Sequence, residues 1–72
     1  MRESRFWELM TDEFGAGYAR SLAHSHVVTG LGGRTVVEML ADGEAPRTIW
    51  LGICDDFDVP QERRLGRDVQ TR

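Results

Sequence analysis

Apolar residues, joined by one histidine, recur at helical spacing along the first half of the chain. The two stripes consist of Phe6, Trp7, Met10 and Phe14 and then of Tyr18, Ala19, Leu22, Ala23 and His26. Because residues three or four apart share one face of an α-helix, the first stripe predicts a helix over residues 5–14 with Ser4 as its N-cap. The second stripe predicts a helix from near Ala16 to near Val28. The glycines between the stripes oppose helix formation and separate the two helices.

Two further helices are predicted in the second half, on either side of a glycine. Residues 29–33 contain three glycines and are expected to form a loop. Thr35 is followed three residues later by Glu38, a capping box that begins a helix, and Gly43 suits the end of that helix. Pro46 suits the first position of a fourth helix. The apolar face of the fourth helix consists of Ile49, Trp50, Ile53, Cys54 and Phe57. No segment shows the alternation that predicts a strand.

The chain is therefore expected to be an all-α protein, a small bundle of four short helices with a helix-turn-helix-like corner at helices three and four. Its 72 residues suffice for one domain, which we assign to residues 1–60 because Pro60 terminates the fourth helix. Residues 61–72 are expected to be a polar tail, either a frayed helix or disordered. The large side chains expected to meet in the core are Trp7, Phe14, Tyr18, Leu40, Trp50 and Phe57.

Acidic residues are concentrated in the second half of the chain. Residues 35–58 contain six acidic residues and one arginine, a net charge of −5, whereas residues 1–34 are neutral and residues 59–72 have a net charge of +2. A DNA-binding segment needs the opposite sign, because Lys and Arg supply most phosphate contacts. All nine basic residues are arginines, which excludes a lysine nucleophile, a Schiff-base lysine and a P-loop lysine.

Cysteine content and hydropathy predict a cytoplasmic protein. The sequence contains one cysteine, Cys54, so an internal disulfide cannot form. The N-terminal residues are not followed by the apolar stretch of a signal peptide. No apolar run approaches the ~18 residues that a membrane span requires. A reducing compartment is where an unpaired thiol is ordinarily found.

No pattern in the sequence is typical of a catalytic, cofactor or metal site. Residues 30–35 are glycine-rich, but they follow a predicted helix rather than a strand and lack the lysine of a phosphate-binding loop. His24 and His26 are two residues apart, so they point to different faces of a helix and cannot share a metal. Cys54 falls on a predicted buried stripe, where a free cysteine acts as a small hydrophobic residue. We expect no enzymatic activity, no cofactor and no bound metal.

The leading functional hypothesis is a protein–protein interaction module that docks on a basic partner. Negative charge at a helix C-terminus opposes the helix dipole, so the aspartates that end the fourth helix suggest a role outside that helix. The candidate partner-binding residues are Arg34, Arg47, Leu51, Asp55, Asp56 and Asp58. A simpler interpretation stays open, in which the acidic cluster is solvated and screened by Arg63 and Arg64 of the same chain. A homodimer formed through apolar residues left over from so small a core is a third hypothesis.

The alternative function is a DNA-binding helix-turn-helix protein. Under this hypothesis Arg47 and Thr48 lie near the bases. The arginines assigned to phosphates are Arg63, Arg64 and Arg67. Asp55 and Asp56 at the end of the same helix would repel phosphate, which is why DNA binding ranks second.

Several short blocks resemble a small family of uncharacterised actinobacterial proteins, domain of unknown function 3046. The blocks are Phe6-Trp7, Phe14-Gly15, Tyr18-Ala19, Leu31-Gly32-Gly33-Arg34-Thr35-Val36, Gly43-Glu44, Pro46-Arg47-Thr48-Ile49-Trp50 and Val59-Pro60. The resemblance covers residues 1 to about 60 and implies a small cytoplasmic protein without assigned activity or catalytic residues. It also implies a link to DNA recombination and repair, because family members are often encoded beside a recombinase and its regulator.

Overall fold

The computed structural model describes residues 1–64. Within them the chain forms four α-helices, two very short strands and two 3-10 turns. The elements in chain order are α1 (Glu3–Phe14), α2 (Ala16–Ser25), β1 (Val27–Val28), a 3-10 turn (Thr29–Leu31), β2 (Arg34–Thr35), α3 (Val36–Ala41), α4 (Pro46–Asp56) and a second 3-10 turn (Gln61–Arg63). The prediction of a small, predominantly helical protein is confirmed.

The first two helices occur where the apolar stripes predict them, but their ends differ. Helix α1 begins at Glu3 and its N-cap is Arg2, so the assignment of Ser4 as the N-cap was wrong. Helix α2 ends at Ser25, before the predicted end near Val28. The residues beyond this end are extended because they pair with residues 34 and 35, and this pairing outweighs the helical pattern.

A two-stranded antiparallel ladder follows α2, contrary to the expectation that no strand would form. Val27 pairs with Thr35, and Val28 pairs with Arg34. β-Branched side chains favour extended backbone, which fits four positions that include two valines and a threonine. The ladder brings the two ends of the glycine-rich loop together, and the 3-10 turn within that loop packs against α4.

A glycine in α4 makes this close approach possible. A Cβ atom at Gly52 would lie 2.7 Å from Leu31 Cδ1 and 2.9 Å from Val28 Cγ1. Both distances are far shorter than a carbon–carbon contact of about 3.5–4.0 Å. The absence of a side chain at Gly52 therefore lets Leu31 and Val28 pack closely against the helix.

The corner between α3 and α4 forms as the local sequence predicts. Thr35 Oγ1 accepts the Glu38 N–H at 3.2 Å, and Glu38 Oε1 accepts the Thr35 N–H at 2.9 Å, which completes the capping box. Gly43 has a φ of 85°, a left-handed conformation that glycine adopts without strain. The N–H of Glu44 donates to Met39 O at 2.9 Å, the hydrogen bond that closes a Schellman motif. Pro46 is the first residue of α4.

The core lies between α1, α2 and α4, with α3 against one side. Its buried residues are Phe6, Leu9, Met10, Ala19, Leu22, Ala23, Val28, Val36, Met39, Ile49, Trp50, Ile53, Cys54 and Val59. Phe6 and Trp50 meet edge to face at its centre, with ring centroids 6.5 Å apart. Four of the six predicted core residues are only partly buried: Trp7, Phe14, Leu40 and Phe57.

Tyr18 was wrongly assigned to the core. It is 55% exposed, and its ring packs against the edge of Phe14 at the surface, with centroids 6.0 Å apart. A domain of this size buries a smaller fraction of its surface than a larger domain does, so not all five residues of the second stripe can enter the core.

The first residues of the predicted tail pack against the helices. Trp50 Nε1 donates a hydrogen bond to Arg64 O at 2.7 Å, which fixes the turn at Gln61–Arg63 over α4. The rest of the predicted tail, residues 65–72, lies outside the described residues. No helix in residues 1–64 has the length and apolar character to cross a membrane.

Candidate interaction surface

The outward face of α4 presents a basic, an aliphatic and an acidic residue in a straight row. Arg47, Leu51 and Asp55 are four residues apart and all three are exposed. Residues at this spacing form a continuous ridge on a helix surface. We refer to these three residues as the α4 row. Leu51 at its centre is 36% exposed, although its neighbours Trp50 and Ile53 are buried.

Two open grooves flank the row, and Leu51 belongs to both. The loop groove, about 390 Å³, is lined by Thr29, Gly30, Leu31, Thr48, Leu51, Gly52, Asp55 and Asp56. The terminal groove, about 160 Å³, is lined by Met1, Arg47, Trp50, Leu51, Gln61 and Arg64. The loop groove therefore lies between the row and the 3-10 turn after β1. The terminal groove lies between the row and the two ends of the described chain.

The charged side chains at the two ends of the row differ in the hydrogen bonds and ion pairs that they make. Within residues 1–64 the Arg47 guanidinium makes no hydrogen bond or ion pair. Asp55 Oδ1 accepts a hydrogen bond from Arg64 Nη1 at 3.1 Å, but the Asp55 side chain remains 72% exposed. Arg64 is also held by its own Nε, which donates to Val59 O at 2.9 Å. The row thus offers a cation without a partner in residues 1–64 at one end and a largely exposed carboxylate at the other.

Both charges oppose the dipole of α4. Arg47 is the second residue of the helix, where a cation is unfavourable, and Asp55 lies in the last turn, where an anion is unfavourable. Such placements cost about 0.3–1 kcal/mol each at exposed sites. Helix α4 has no acidic residue in its first turn and no basic residue in its last turn to offset them. A contact outside the helix would offset this cost.

Asp56, a predicted partner-binding residue, is held within the chain. Its Oδ2 accepts the Thr29 backbone N–H at 3.0 Å, and His26 Nε2 lies 2.8 Å from the same oxygen. The Thr29 N–H, and after it the His26 side chain, hold the pKa of Asp56 below its ordinary value by stabilising the carboxylate. Asp56 therefore positions the wall of the loop groove.

Arg34, a second predicted partner-binding residue, also makes internal contacts. Its Nη1 donates to Asp42 Oδ2 at 3.1 Å, and its Nε donates to Leu31 O at 3.3 Å. Glu44 Oε1 lies 3.8 Å from Nη2. Arg34 ties the glycine loop to the end of α3 and does not line either groove of the α4 row.

Asp58 follows the helix and is exposed, as expected for a surface residue. Its φ of 54° lies in the left-handed region, which aspartate tolerates better than most residues. The reversal at Asp58 brings Val59 back to the helix, where its N–H donates to Cys54 O at 2.9 Å. Asp58 adds a third carboxylate to the acidic end of α4, beyond the row itself.

The residues of the DNA-binding alternative are mostly engaged elsewhere. Arg63 donates to both carboxylate oxygens of Glu13, with Nε at 3.1 Å from Oε1 and Nη2 at 2.9 Å from Oε2. These hydrogen bonds raise the pKa of Arg63. Arg64 is held as described above, and Thr48 is half-buried in the loop groove. Arg67 lies outside the described residues. Among these residues, Arg47 alone is an exposed and unpaired cation within residues 1–64.

Sequence reasoning missed the residues that flank the row. Leu31 lines the loop groove and Met1, 48% exposed, lines the terminal groove. One feature of the sequence could have indicated Leu31, since it is the only large apolar side chain in a glycine-rich loop. No feature of the sequence indicated Met1, because its position beside α4 results from tertiary packing. The pairing of Glu13 with Arg63 was missed for the same reason.

The remaining candidates for chemistry lie in apolar or solvated surroundings. Burial raises the pKa of the Cys54 thiol to about 12. His24 is exposed, and its Nδ1 lies 3.0 Å from Arg20 O within the same helix. Residues 1–64 contain no group of three or more His, Cys, Asp and Glu side chains that could hold a metal ion.

Comparisons with known proteins agree with the resemblance predicted from the short sequence blocks. A family model described as "Protein of unknown function (DUF3046)" matches residues 1–62. A Mycobacterium tuberculosis protein named "Putative envelope-preserving system protein" is 50% identical over 42 residues. These residues make up 58% of this chain but 14% of that relative, so the chain spans a small part of the relative's length. No solved structure matches the chain.

Proposed function

The chain belongs to the DUF3046 family, whose function is unknown, and we propose that it is a protein–protein interaction module that binds through the α4 row. The observation on which the proposal depends is the order of the row on one ridge: an Arg47 without a partner in residues 1–64, an exposed Leu51 and an Asp55 whose side chain is 72% exposed. The partner presents an acidic group opposite Arg47, an aliphatic side chain at Leu51 and a basic group opposite Asp55.

The apolar contact at Leu51 supplies most of the affinity in this proposal. Interfaces obtain their binding energy from a few buried apolar or aromatic anchors, and the surrounding polar groups exclude water and fix orientation. Leu51 lies between two grooves, so a partner side chain can pack against it from either side. The charges at the ends of the row select the direction in which the partner lies along α4.

The acidic excess of residues 35–58 favours a partner that is basic at the Asp55 end. Asp58 lies just beyond the row and adds to the negative potential there. Complementary potentials steer the encounter of two proteins and raise the association rate. The gene neighbourhood implied by the family resemblance directs the search to proteins of DNA recombination and repair, which handle a polyanion and have basic surfaces.

The proposal includes no enzymatic activity and a cytoplasmic location. The Cys54 thiol is buried, and burial raises its pKa to about 12, which disfavours the reactive thiolate form at neutral pH. A buried, unpaired thiol suits a reducing compartment.

DNA binding through the corner of α3 and α4 is the alternative proposal. It relies on Arg47, because the other described arginines assigned to DNA are bonded to carboxylates of the same chain. Asp55 lies on the same ridge and would face the phosphates. A helix that presents one cation and one anion to DNA gains little from counterion release.

A pull-down with matched variants tests the proposal. The tagged full-length chain is incubated with lysate of the organism that encodes it, with and without nuclease, and captured proteins are identified by mass spectrometry. We expect capture that survives nuclease, and Leu51→Ala reduces it at least about tenfold, the effect of an anchor residue. The control is Val37→Ala, which truncates a side chain of similar exposure, 37%, on another helix. Capture that is abolished by nuclease contradicts the proposal. Capture that is the same for Leu51→Ala as for Val37→Ala also contradicts it.

A further inference from the structure

We propose that the α4 row binds the same row of a second copy of this chain, so that the protein forms a two-fold symmetric dimer. This inference rests on the proposed function, and it names the partner of that surface. In the dimer the two α4 helices cross antiparallel, and the two-fold axis passes between the two copies of Leu51.

The spacing of the row makes it complementary to itself. Arg47 and Asp55 each lie four residues from Leu51, about 6 Å along the helix on either side. In a two-fold interface a contact from residue i to residue j is repeated from j to i. An antiparallel pair therefore places Arg47 of each copy opposite Asp55 of the other and brings the two leucines together. A parallel pair would place like charges opposite each other.

The dimer provides a partner for a charge that has none within the described residues. Within residues 1–64 no carboxylate pairs with Arg47. Asp55 uses one oxygen for Arg64 and is otherwise largely hydrated, so its second oxygen is accessible to another guanidinium. The two contacts formed across the axis also offset the unfavourable position of each charge in the dipole of α4.

Apolar surface on both sides of the row completes the contact. Leu31 lines the loop groove and Met1 lines the terminal groove, each beside Leu51. The central contact is thus aliphatic and its rim is charged, the usual arrangement of a protein interface. Helix α4 has only 11 residues, so the interface is at the small end of the range and the dimer is reversible.

Charge reversal distinguishes this dimer from other associations. Sedimentation velocity is measured on the full chain over a wide concentration series. Arg47→Asp and Asp55→Arg each place like charges opposite each other, and we expect each to raise the dimer dissociation constant at least about tenfold. The double variant Arg47→Asp/Asp55→Arg restores both pairs with reversed polarity and recovers the wild-type constant within a factor of about three.

The variants are designed so that the fold is not lost. Each reversal puts the favourable charge at its end of α4, and in Asp55→Arg this gain from the helix dipole offsets the loss of the Asp55–Arg64 ion pair. Circular dichroism confirms this before sedimentation. Arg20→Asp is the control for Arg47→Asp, because Arg20 is an exposed arginine on another helix and lies outside the row. It leaves the dissociation constant unchanged.

The outcomes separate this inference from the proposed function. A chain that stays monomeric at every concentration, or a double variant no better than the single variants, overturns the dimer. If the dimer is overturned while Leu51→Ala still abolishes capture of another protein, the proposed function stands and its partner is a different molecule. If Leu51→Ala changes neither self-association nor capture, both fail.

Discussion

Thr29 donates its backbone N–H to Asp56 Oδ2 at 3.0 Å, which joins the loop after α2 to the last residue of α4. His26 Nε2 lies 2.8 Å from the same oxygen, so one carboxylate oxygen holds two residues of this segment, which are 27 and 30 positions away in sequence. This contact sets one wall of the loop groove and thereby the surroundings of Leu51. The stability of the site depends on it.

Asp56→Ala should destabilise the protein by about 1.5–3 kcal/mol, because hydrogen bonds to a charged group are lost and the Thr29 N–H loses its acceptor. Urea unfolding of the variant measures the change in the free energy of unfolding. Asp12→Ala is the matched control, since Asp12 is exposed on α1 and should be nearly neutral. Equal stability of the two variants would show that the contact at Asp56 is not important.

The contribution of Asp56 should depend on pH. Its folded-state pKa lies below the ordinary value of 3.8, so the unfolded chain takes up the proton first on acidification. The stabilisation is therefore complete above pH 3.8 and is lost as the pH falls through the lower folded-state value. Urea unfolding of wild type and Asp56→Ala at pH 7, 4 and 3 should show a difference in the free energy of unfolding that becomes smaller only at the acidic end of this range. A difference that stays constant with pH would mean that the carboxylate charge is not involved.

Gly52→Ala should destabilise the protein by about 1–3 kcal/mol, since its Cβ would lie 2.7 Å from Leu31 Cδ1 and force the loop away from α4. Thermal unfolding measures this loss. The control is Gly17→Ala in α2, where a Cβ meets nothing within 4 Å and alanine should stabilise the helix by up to about 1 kcal/mol. If both variants are stabilised, the loop does not pack on α4 as described.

Cys54 should resist thiol reagents in the folded protein. Its pKa of about 12 leaves about one thiolate in 10⁴ molecules at pH 8, and the side chain is buried. Labelling with Ellman's reagent should therefore be slow without denaturant and should accelerate at the urea concentration at which the protein unfolds. Rapid labelling of the folded protein would contradict the buried position of this residue.

Local chemistry explains which parts of the fold are predictable from sequence. The capping box at Thr35, the left-handed Gly43 and Pro46 at the start of α4 each act within four residues, and all three form as expected. The ladder at Val27–Val28 was missed because its partner strand lies beyond a glycine loop. A helical pattern of side chains does not reveal such pairing.

The site shows the same division between local and long-range causes. Sequence patterning placed Arg47, Leu51 and Asp55 on α4, and their common ridge follows from a spacing of four. The sequence pattern could not distinguish Asp55 from Asp56. Asp56 is held internally only because the tertiary fold places His26 and Thr29 beside it. Long-range contacts of this kind set which charges are available to a partner.

The central claim is that the α4 row of one copy of the chain binds the α4 row of a second copy. The most direct test is a dilution series of the uniformly ¹⁵N-labelled full chain followed by heteronuclear NMR. We predict concentration-dependent shifts that cluster at Arg47, Leu51 and Asp55 and disappear in Asp55→Arg. Spectra that do not change with concentration, or shifts that cluster between α1 and α2 around Arg20, would contradict it.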